Sequence, residues 1–196
     1  MTASQAAEQD GLVPELRTFV EQAEAQIREV ADLMEPLTEK QIDWRPGPER
    51  WSIGENIAHL TLSNRPYLDE LKAAIERARE RGLWAEPPYR HGWMGNWFVR
   101  SMEPPPRFRA RTLRRLVPQR RQPKDTVLAD FVDVQREAIA SARTANGIDL
   151  GRASIRSPFI RLLRLSLGQA YGVIAAHNRR HIWIARRILQ SPALPG

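Results

Sequence analysis

Apolar residues recur at three- and four-residue steps in four long segments of the chain, and this spacing places them along one face of an α-helix. The pattern predicts helices over residues 12–35, 52–81, 125–146 and 159–190, the last one broken near Gly168. No segment shows a convincing alternation of apolar and polar residues, which is typical of a half-buried β-strand. We therefore predict an all-α fold, a four-helix bundle.

Local signals define the ends of these segments. Ser52 and Glu55 form a capping box, in which the serine oxygen accepts a hydrogen bond from a free backbone N–H and the glutamate reaches back to the cap. Pro66 predicts a kink in the second helix, and Asn146-Gly147 is a common end for the third.

A long connection joins the second and third predicted helices. Residues 82–124 contain seven prolines, and the stretch 91–98 within them predicts a short helix or an aromatic lid. A connection of this length is usually functional or disordered, and its aromatic residues favour the former. It also permits parallel neighbouring helices instead of a plain up-down-up-down order.

The length of 196 residues fits one domain, which we expect over residues 12–190, between a flexible N-terminus at 1–11 and a C-terminal tail at 191–196. The chain has no cysteine, which excludes disulfides, cysteine nucleophiles and thiolate metal sites. Its most apolar stretch, residues 165–176, is too short for a membrane span or a secretion signal. We expect a cytoplasmic protein with no membrane partner.

Charge is divided unevenly along the chain. The formal net charge is −6 over residues 1–98 and +13 over residues 99–196. Seven arginines lie in the arginine-rich segment, residues 107–124, a density that nucleic-acid-binding proteins use. This segment has no aromatic stacking platform and no recognised binding motif, which disfavours nucleic acid as the partner.

The histidines are the main candidates for chemistry. His177 and His181 fall about 40° apart within the apolar stripe of the last helix, so both side chains should point into the core. Two histidines at i and i+4 on a buried face can bind one metal ion. The alternative is that each bonds a buried acid such as Glu55 or a backbone carbonyl. His59 is the natural third ligand, although the periodicity places it away from the centre of its own helical stripe.

The residues around these histidines exclude several reactions. The sequence from His177 to His181 lacks the glutamate that directly follows the first histidine in helical metalloproteases. The chain also lacks a Gly-rich phosphate loop, a G-x-S-x-G elbow and the paired Glu-x-x-His pattern of di-iron bundles.

Two sequence motifs together resemble one family. Trp51–Leu60 reads WSIGENIAHL, follows Trp44-Arg45-Pro46, and is completed far downstream by the HNRRH sequence of residues 177–181. These motifs resemble the DinB/YfiT-like superfamily, and the resemblance spans residues 15–190. It implies a four-helix bundle, often dimeric, with one divalent metal ion bound by three histidines, which correspond here to His59, His177 and His181.

The resemblance also implies a class of reaction. Characterised relatives include thiol transferases that use bacillithiol, mycothiol or glutathione, and a mycothiol-dependent isomerase. We therefore expect a metal-dependent enzyme with Zn, Ni, Fe or Mn that transfers a low-molecular-weight thiol to a small-molecule substrate. Trp51, Trp93 and Trp97 are candidates for lining its pocket, and Arg180 is a candidate for holding a carboxylate.

Two alternatives stay open. One is a non-catalytic binding or stress-response module in which the metal is structural or absent. A fourth protein ligand, for instance His91, would favour this module, whereas an open coordination position would favour an enzyme. The other alternative is nucleic-acid binding through the arginine-rich segment, which would depend strongly on salt.

Overall fold

The computed structural model describes residues 11–106 and 112–196. Residues 1–10 of the predicted N-terminal segment, and residues 107–111 of the arginine-rich segment, lie outside this part of the chain. The described residues form helices α1 (Pro14–Met34), α2 (Glu39–Ile42), α3 (Ile53–Glu80), α4 (Trp93–Met102), α5 (Lys124–Thr144) and α6 (Leu167–Leu189), and strands β1 (Ser154–Arg156) and β2 (Arg164–Ser166). A short 3-10 turn, Arg114–Leu116, precedes α5.

The four long helices α1, α3, α5 and α6 surround a common interior. Helix α3 packs against α5 and α6, and α1 packs against the same two helices. This places α1 and α3 opposite each other across the interior. The mostly helical structure agrees with the predicted all-α class. None of the helices in the two described stretches combines the length and hydrophobicity that a bilayer span needs.

Helix α3 begins where the sequence predicts. The Ser52 Oγ accepts a hydrogen bond from the Glu55 N–H at 3.1 Å, and the Glu55 carboxylate accepts one from the Ser52 N–H at 2.9 Å. The helix then continues through Pro66 without interruption, where a kink is predicted. Leu62, whose carbonyl loses its helical donor to the proline, lies on the exposed side of the helix, where water can serve as the donor.

Helix α6 begins later than the sequence pattern predicts. It starts at Leu167 rather than near residue 159, because Ser166 and Gln169 form a capping box of their own. The preceding residues form the antiparallel pair of β1 and β2, which the sequence analysis did not predict. In β2, Arg164 is exposed and both Leu165 and Ser166 are buried, and a strand of three residues is too short to show a period of two in the sequence.

The connection between α3 and α5 contains the short helix α4. A short helix is one of the two structures predicted for residues 91–98, the other being an aromatic lid. Its Gly95 lies against Gln169, and a Cβ at this glycine would overlap the glutamine side chain. Val99 packs onto Gly172 one turn further along both helices. These two glycines let α4 approach the first half of α6 closely. After this connection, α5 runs from Lys124 and ends near Gly147, whose φ of 83° is one that glycine adopts readily.

Buried apolar side chains of the described residues form two clusters. The first cluster includes Phe19, Leu71 and Tyr171. The second cluster includes Ile57 and Phe131. Each of the four long helices contributes side chains to both clusters, so each one is held at two separate levels of the interior.

Candidate metal centre

His59, His177 and His181 converge at one point between α3 and α6. One ring nitrogen from each of the three side chains lies within 4.8 Å of the other two. The ring centroids are 4.7 to 5.2 Å apart. His59 and His181 are buried, whereas His177 is partly exposed. The predicted metal ligands therefore share one site, and the side of it next to His177 reaches the surface.

A backbone carbonyl fixes the ring of His59. Its Nδ1 lies 2.8 Å from the carbonyl oxygen of Leu116, in the 3-10 turn before α5. Because a carbonyl can only accept a hydrogen bond, Nδ1 must carry the proton. The Nε2 of His59 is then the nitrogen with a free lone pair, as a metal ligand requires.

An asparagine side chain fixes the ring of His181. The Nδ2 of Asn56 donates to the Ser52 carbonyl at 2.8 Å, which turns the Asn56 Oδ1 towards the imidazole. This oxygen lies 2.9 Å from the Nδ1 of His181 and accepts its hydrogen. The residue that caps α3 thus also sets, through Asn56, the orientation of a histidine on another helix.

A longer contact orients His177 in the same way. The Oγ of Ser63 donates to the Leu60 carbonyl at 3.2 Å, and so its lone pairs face the Nδ1 of His177 at 3.4 Å. All three Nδ1 atoms thus lie next to acceptors, which leaves the lone pair of each Nε2 free to bind a metal ion. Outer-shell hydrogen bonds of this kind fix the tautomer and ring direction of metal-ligating histidines.

The local environment keeps the three imidazoles neutral. Burial, with smaller contributions from the neighbouring His59 and Arg180, lowers the pKa of His177 to about 3. Burial also lowers the pKa of His181 well below its ordinary value, with His177, His59 and Arg180 contributing. Burial lowers the pKa of His59, although its bond to Leu116 acts in the opposite direction. Neutral imidazole is the form that binds a metal ion, so the site is ready for one at neutral pH.

The start of α3 is anchored by an ion pair that also explains the upstream motif. The Nε of Arg45 donates to the Glu55 carboxylate at 2.7 Å. Burial raises the pKa of Glu55, but the hydrogen bonds from Arg45 and Ser52 outweigh it and leave the pKa below its ordinary value. Glu55 is therefore committed to Arg45 and the helix cap, and the predicted alternative of a bond from Glu55 to a histidine is wrong. The other form of that alternative, a backbone carbonyl, holds for His59.

His91 does not belong to the histidine cluster. Its Nδ1 lies 2.7 Å from the Ser166 Oγ, and its Nε2 lies 3.1 Å from the Glu15 carboxylate. Ser166 begins α6, three helical turns before His177. The suggestion that His91 supplies a fourth ligand is therefore wrong. Among the residues that the structure describes, the group of potential ligands at the site consists of the three histidines alone.

The candidate pocket tryptophans separate into two groups. Trp51 lies over the site, with its ring centroid 4.8 Å from that of His59 and 6.0 Å from that of His181. Trp93 and Trp97 are 78% and 61% exposed on α4, which packs on the first half of α6. Only Trp51 among these three has a ring contact with the described site.

Sequence reasoning missed the side chains that hold the histidines. Asn56 lies inside the WSIGENIAHL motif, and a polar residue buried in the first turn of an apolar helix is a signal that could have identified it. Ser63 gives a weaker signal of the same kind. The Leu116 carbonyl gives none, because a backbone acceptor in an irregular turn leaves no trace in residue type.

Fold and site together define a mostly helical protein with a three-histidine candidate metal centre. The family model of the DinB superfamily matches residues 22–185. The chain therefore belongs to the DinB superfamily, as its motifs indicate. No curated protein and no solved structure matches the chain.

Proposed function

We propose that this protein is a metal-dependent enzyme that transfers a low-molecular-weight thiol to an electrophilic small molecule. His59, His177 and His181 would hold one divalent ion, Zn, Ni, Fe or Mn. The observation that carries this proposal is the shared direction of the three imidazoles: each Nδ1 faces an acceptor, which leaves each Nε2 for the ion.

The donor set fits a catalytic ion better than a structural one. Structural zinc sites are closed by four protein ligands, whereas catalytic sites keep three and leave a position for water or substrate. His91, the residue named above as an example of a fourth ligand, is bonded to Ser166 and Glu15 instead. A divalent ion at such a site supplies Lewis-acid chemistry and lowers the pKa of a water or thiol that it binds.

Residues of this chain would position the reactants. The partly exposed side of the cluster, next to His177, is the direction from which a thiol could enter. Trp51 covers His59 and His181 with an apolar surface that limits water. Arg180 is close enough to lower the pKa of both His177 and His181, and it is the residue we assign to the carboxylate of the thiol or substrate.

We infer a four-helix bundle of the family type, a homodimer, a cytoplasmic location and a small-molecule substrate.

The reaction forms a carbon–sulfur bond and breaks a bond from the same carbon to a leaving group such as halide. The leaving group departs with the electron pair of that bond, and the thiol proton goes to solvent.

The test is a two-substrate assay on protein loaded separately with Zn, Ni, Fe(II) or Mn. Glutathione, mycothiol or bacillithiol is mixed with an alkyl or aryl halide, and loss of free thiol and formation of the thioether are followed together. We expect thioether formation with at least one metal and one thiol, and its loss in the His177→Ala variant. Trp97→Ala is the matched control, because Trp97 is exposed on α4. Failure of every pair with protein that binds the metals, or equal rates in His177→Ala, would contradict the proposal.

A further inference from the structure

A layer of four amide side chains crosses the interior of the protein beside the histidine cluster. Each of the four long helices supplies one member, and all four are 4% exposed or less. On α1, α3 and α6 the amide lies between the residues of one apolar cluster and those of the other, and on α5 it directly follows Val134, where the first cluster begins. The members of this amide layer are Gln26 on α1, Asn64 on α3, Gln135 on α5 and Asn178 on α6.

The hydrogen bonds of the layer converge on Asn178. Its Nδ2 donates to the Oε1 of Gln26 at 2.9 Å and to the Oε1 of Gln135 at 3.0 Å, and its Oδ1 accepts from the Nδ2 of Asn64 at 3.0 Å. Gln26 also donates from Nε2 to the Ala175 carbonyl at 3.0 Å. Helix α6 is thus bonded to each of the other three long helices within a single turn.

The same part of α6 carries two of the candidate ligands, His177 and His181. Asn178 follows His177 directly and precedes His181 by three residues, which places it about 100° and about 60° from them around the helix. The hydrogen bonds of the layer therefore hold one side of α6, and the imidazoles of His177 and His181 lie on the adjacent side. On α3, the layer residue Asn64 follows Ser63, which contacts His177.

A metal site tolerates little rotation of this helix. A ring nitrogen about 5 Å from the axis moves roughly 1 Å when the helix turns by 10°. Metal–ligand distances hold within about 0.2 Å. Apolar packing is non-directional and permits small rotations of a helix. Hydrogen bonds from α6 to three other helices are directional, and they fix one rotation of α6 about its axis.

We propose that the amide layer is a positioning device, which fixes the rotation and height of α6 so that His177 and His181 meet His59. This inference rests on the proposed metal centre and names Gln26, Asn64, Gln135 and Asn178 as its positioning residues. Buried polar groups can often be replaced by apolar groups of similar shape with no loss of stability. The layer should therefore matter more for metal binding than for folding.

The test replaces the whole layer, because a single change leaves partners unpaired. The variant Gln26→Leu/Asn64→Leu/Gln135→Leu/Asn178→Leu is compared with the native chain in two measurements, the urea midpoint of the metal-free protein and the affinity for Co²⁺ and Zn²⁺ by chelator competition. We expect an equal or higher midpoint with 10- to 100-fold weaker metal affinity, the range for lost outer-shell support. The visible spectrum of bound Co²⁺ should also change, which a merely structural role would not cause.

A control variant and a second test variant distinguish a wrong inference from a misfolded protein and from a wrong proposed function. Tyr171 lies on α6, ten residues before His181, and shares a partly buried hydrogen bond with Ser141 on α5. The change Tyr171→Phe removes this bond and should leave metal affinity unchanged. If the fourfold variant does not fold, the same affinity comparison on Gln26→Met decides, because this change removes both bonds of Gln26 to α6 and keeps a long side chain. Metal affinity within twofold of the native chain in the folded variant overturns the inference. Absence of metal binding by the native chain would instead overturn the proposed function.

Discussion

The hydrogen bond from His181 to Asn56 offers a sharp test of how the metal centre is built. The change Asn56→Leu keeps the side-chain size and removes the acceptor. Asn56 is 1% exposed and His181 is 8% exposed, so water cannot easily replace the lost partner. The Ser52 carbonyl still accepts from the backbone N–H of residue 56, which confines the damage to the His181 ring.

Two consequences can be given magnitudes. An unsatisfied buried N–H costs about 1–3 kcal/mol, so the metal-free variant should lose that much of its free energy of unfolding. The imidazole is also free to change tautomer, and loss of an outer-shell partner weakens metal binding about 10- to 100-fold, or roughly 1.4–2.7 kcal/mol.

Two further variants make the comparison specific. Asn56→Asp keeps an acceptor for His181 but loses the donor to the Ser52 carbonyl, so its metal affinity should lie between those of the native chain and Asn56→Leu. Ser63→Ala removes the longer contact, 3.4 Å instead of 2.9 Å, and should weaken binding less than Asn56→Leu. Affinities are measured by chelator competition with Zn²⁺ and Co²⁺. The reasoning is refuted by an Asn56→Leu affinity within twofold of the native value, or by a larger loss in Ser63→Ala.

Three other predictions follow from the structure. The metal-free protein should lose stability as pH falls below 6.5, by about 1.4 kcal/mol per pH unit for His177, because its folded pKa of about 3 lies below the ordinary value and the unfolded chain binds the proton first; urea midpoints at several pH values measure this slope, and a midpoint that rises towards acid contradicts it. Phe131→Ala should cost about 3–5 kcal/mol in urea unfolding, because Phe131 is fully buried in the second cluster; a cost under about 1 kcal/mol would show that this part of the core is loosely packed. Gly151→Ala would place a methyl group against the Arg90 carbonyl and displace the neighbouring His91, so hydrogen exchange in α4 should quicken while metal stoichiometry stays the same; loss of metal in this variant would mean that His91 is a ligand after all.

The sequence predicts much of the helical framework, because its signals are local. The capping box at Ser52 and the Gly147 stop each depend on residues a few positions apart, and both lie where predicted. The predicted start of α6 near residue 159 is wrong, because the apolar residues between 159 and 166 lie in a turn and in β2 and not in the helix. The Ser166–Gln169 capping box was present in the sequence and would have corrected it.

The candidate metal ligands could be predicted from the sequence, but the groups that form hydrogen bonds to their rings could not. His177 and His181 share a helical face, and His59 follows from the family motif rather than from its periodicity. The partners of these rings come from distant parts of the chain: Asn56 lies 125 residues from His181, and Leu116 lies 57 residues from His59. These hydrogen bonds depend on how the helices pack against one another, and the packing cannot be read from the sequence of any single segment. The role of His91 could not be predicted from the sequence either, because its partners Ser166 and Glu15 lie 75 and 76 residues away.

The metal content of the purified protein shows whether the three histidines bind one metal ion. The native chain and the His181→Ala variant are soaked in a mixture of divalent metals, desalted and measured by elemental analysis, with Trp97→Ala as the control. The account predicts about one equivalent of metal per chain in the native and control proteins and far less in His181→Ala, since two imidazoles bind much more weakly than three. No bound metal in the native chain, or equal metal in His181→Ala, would contradict it.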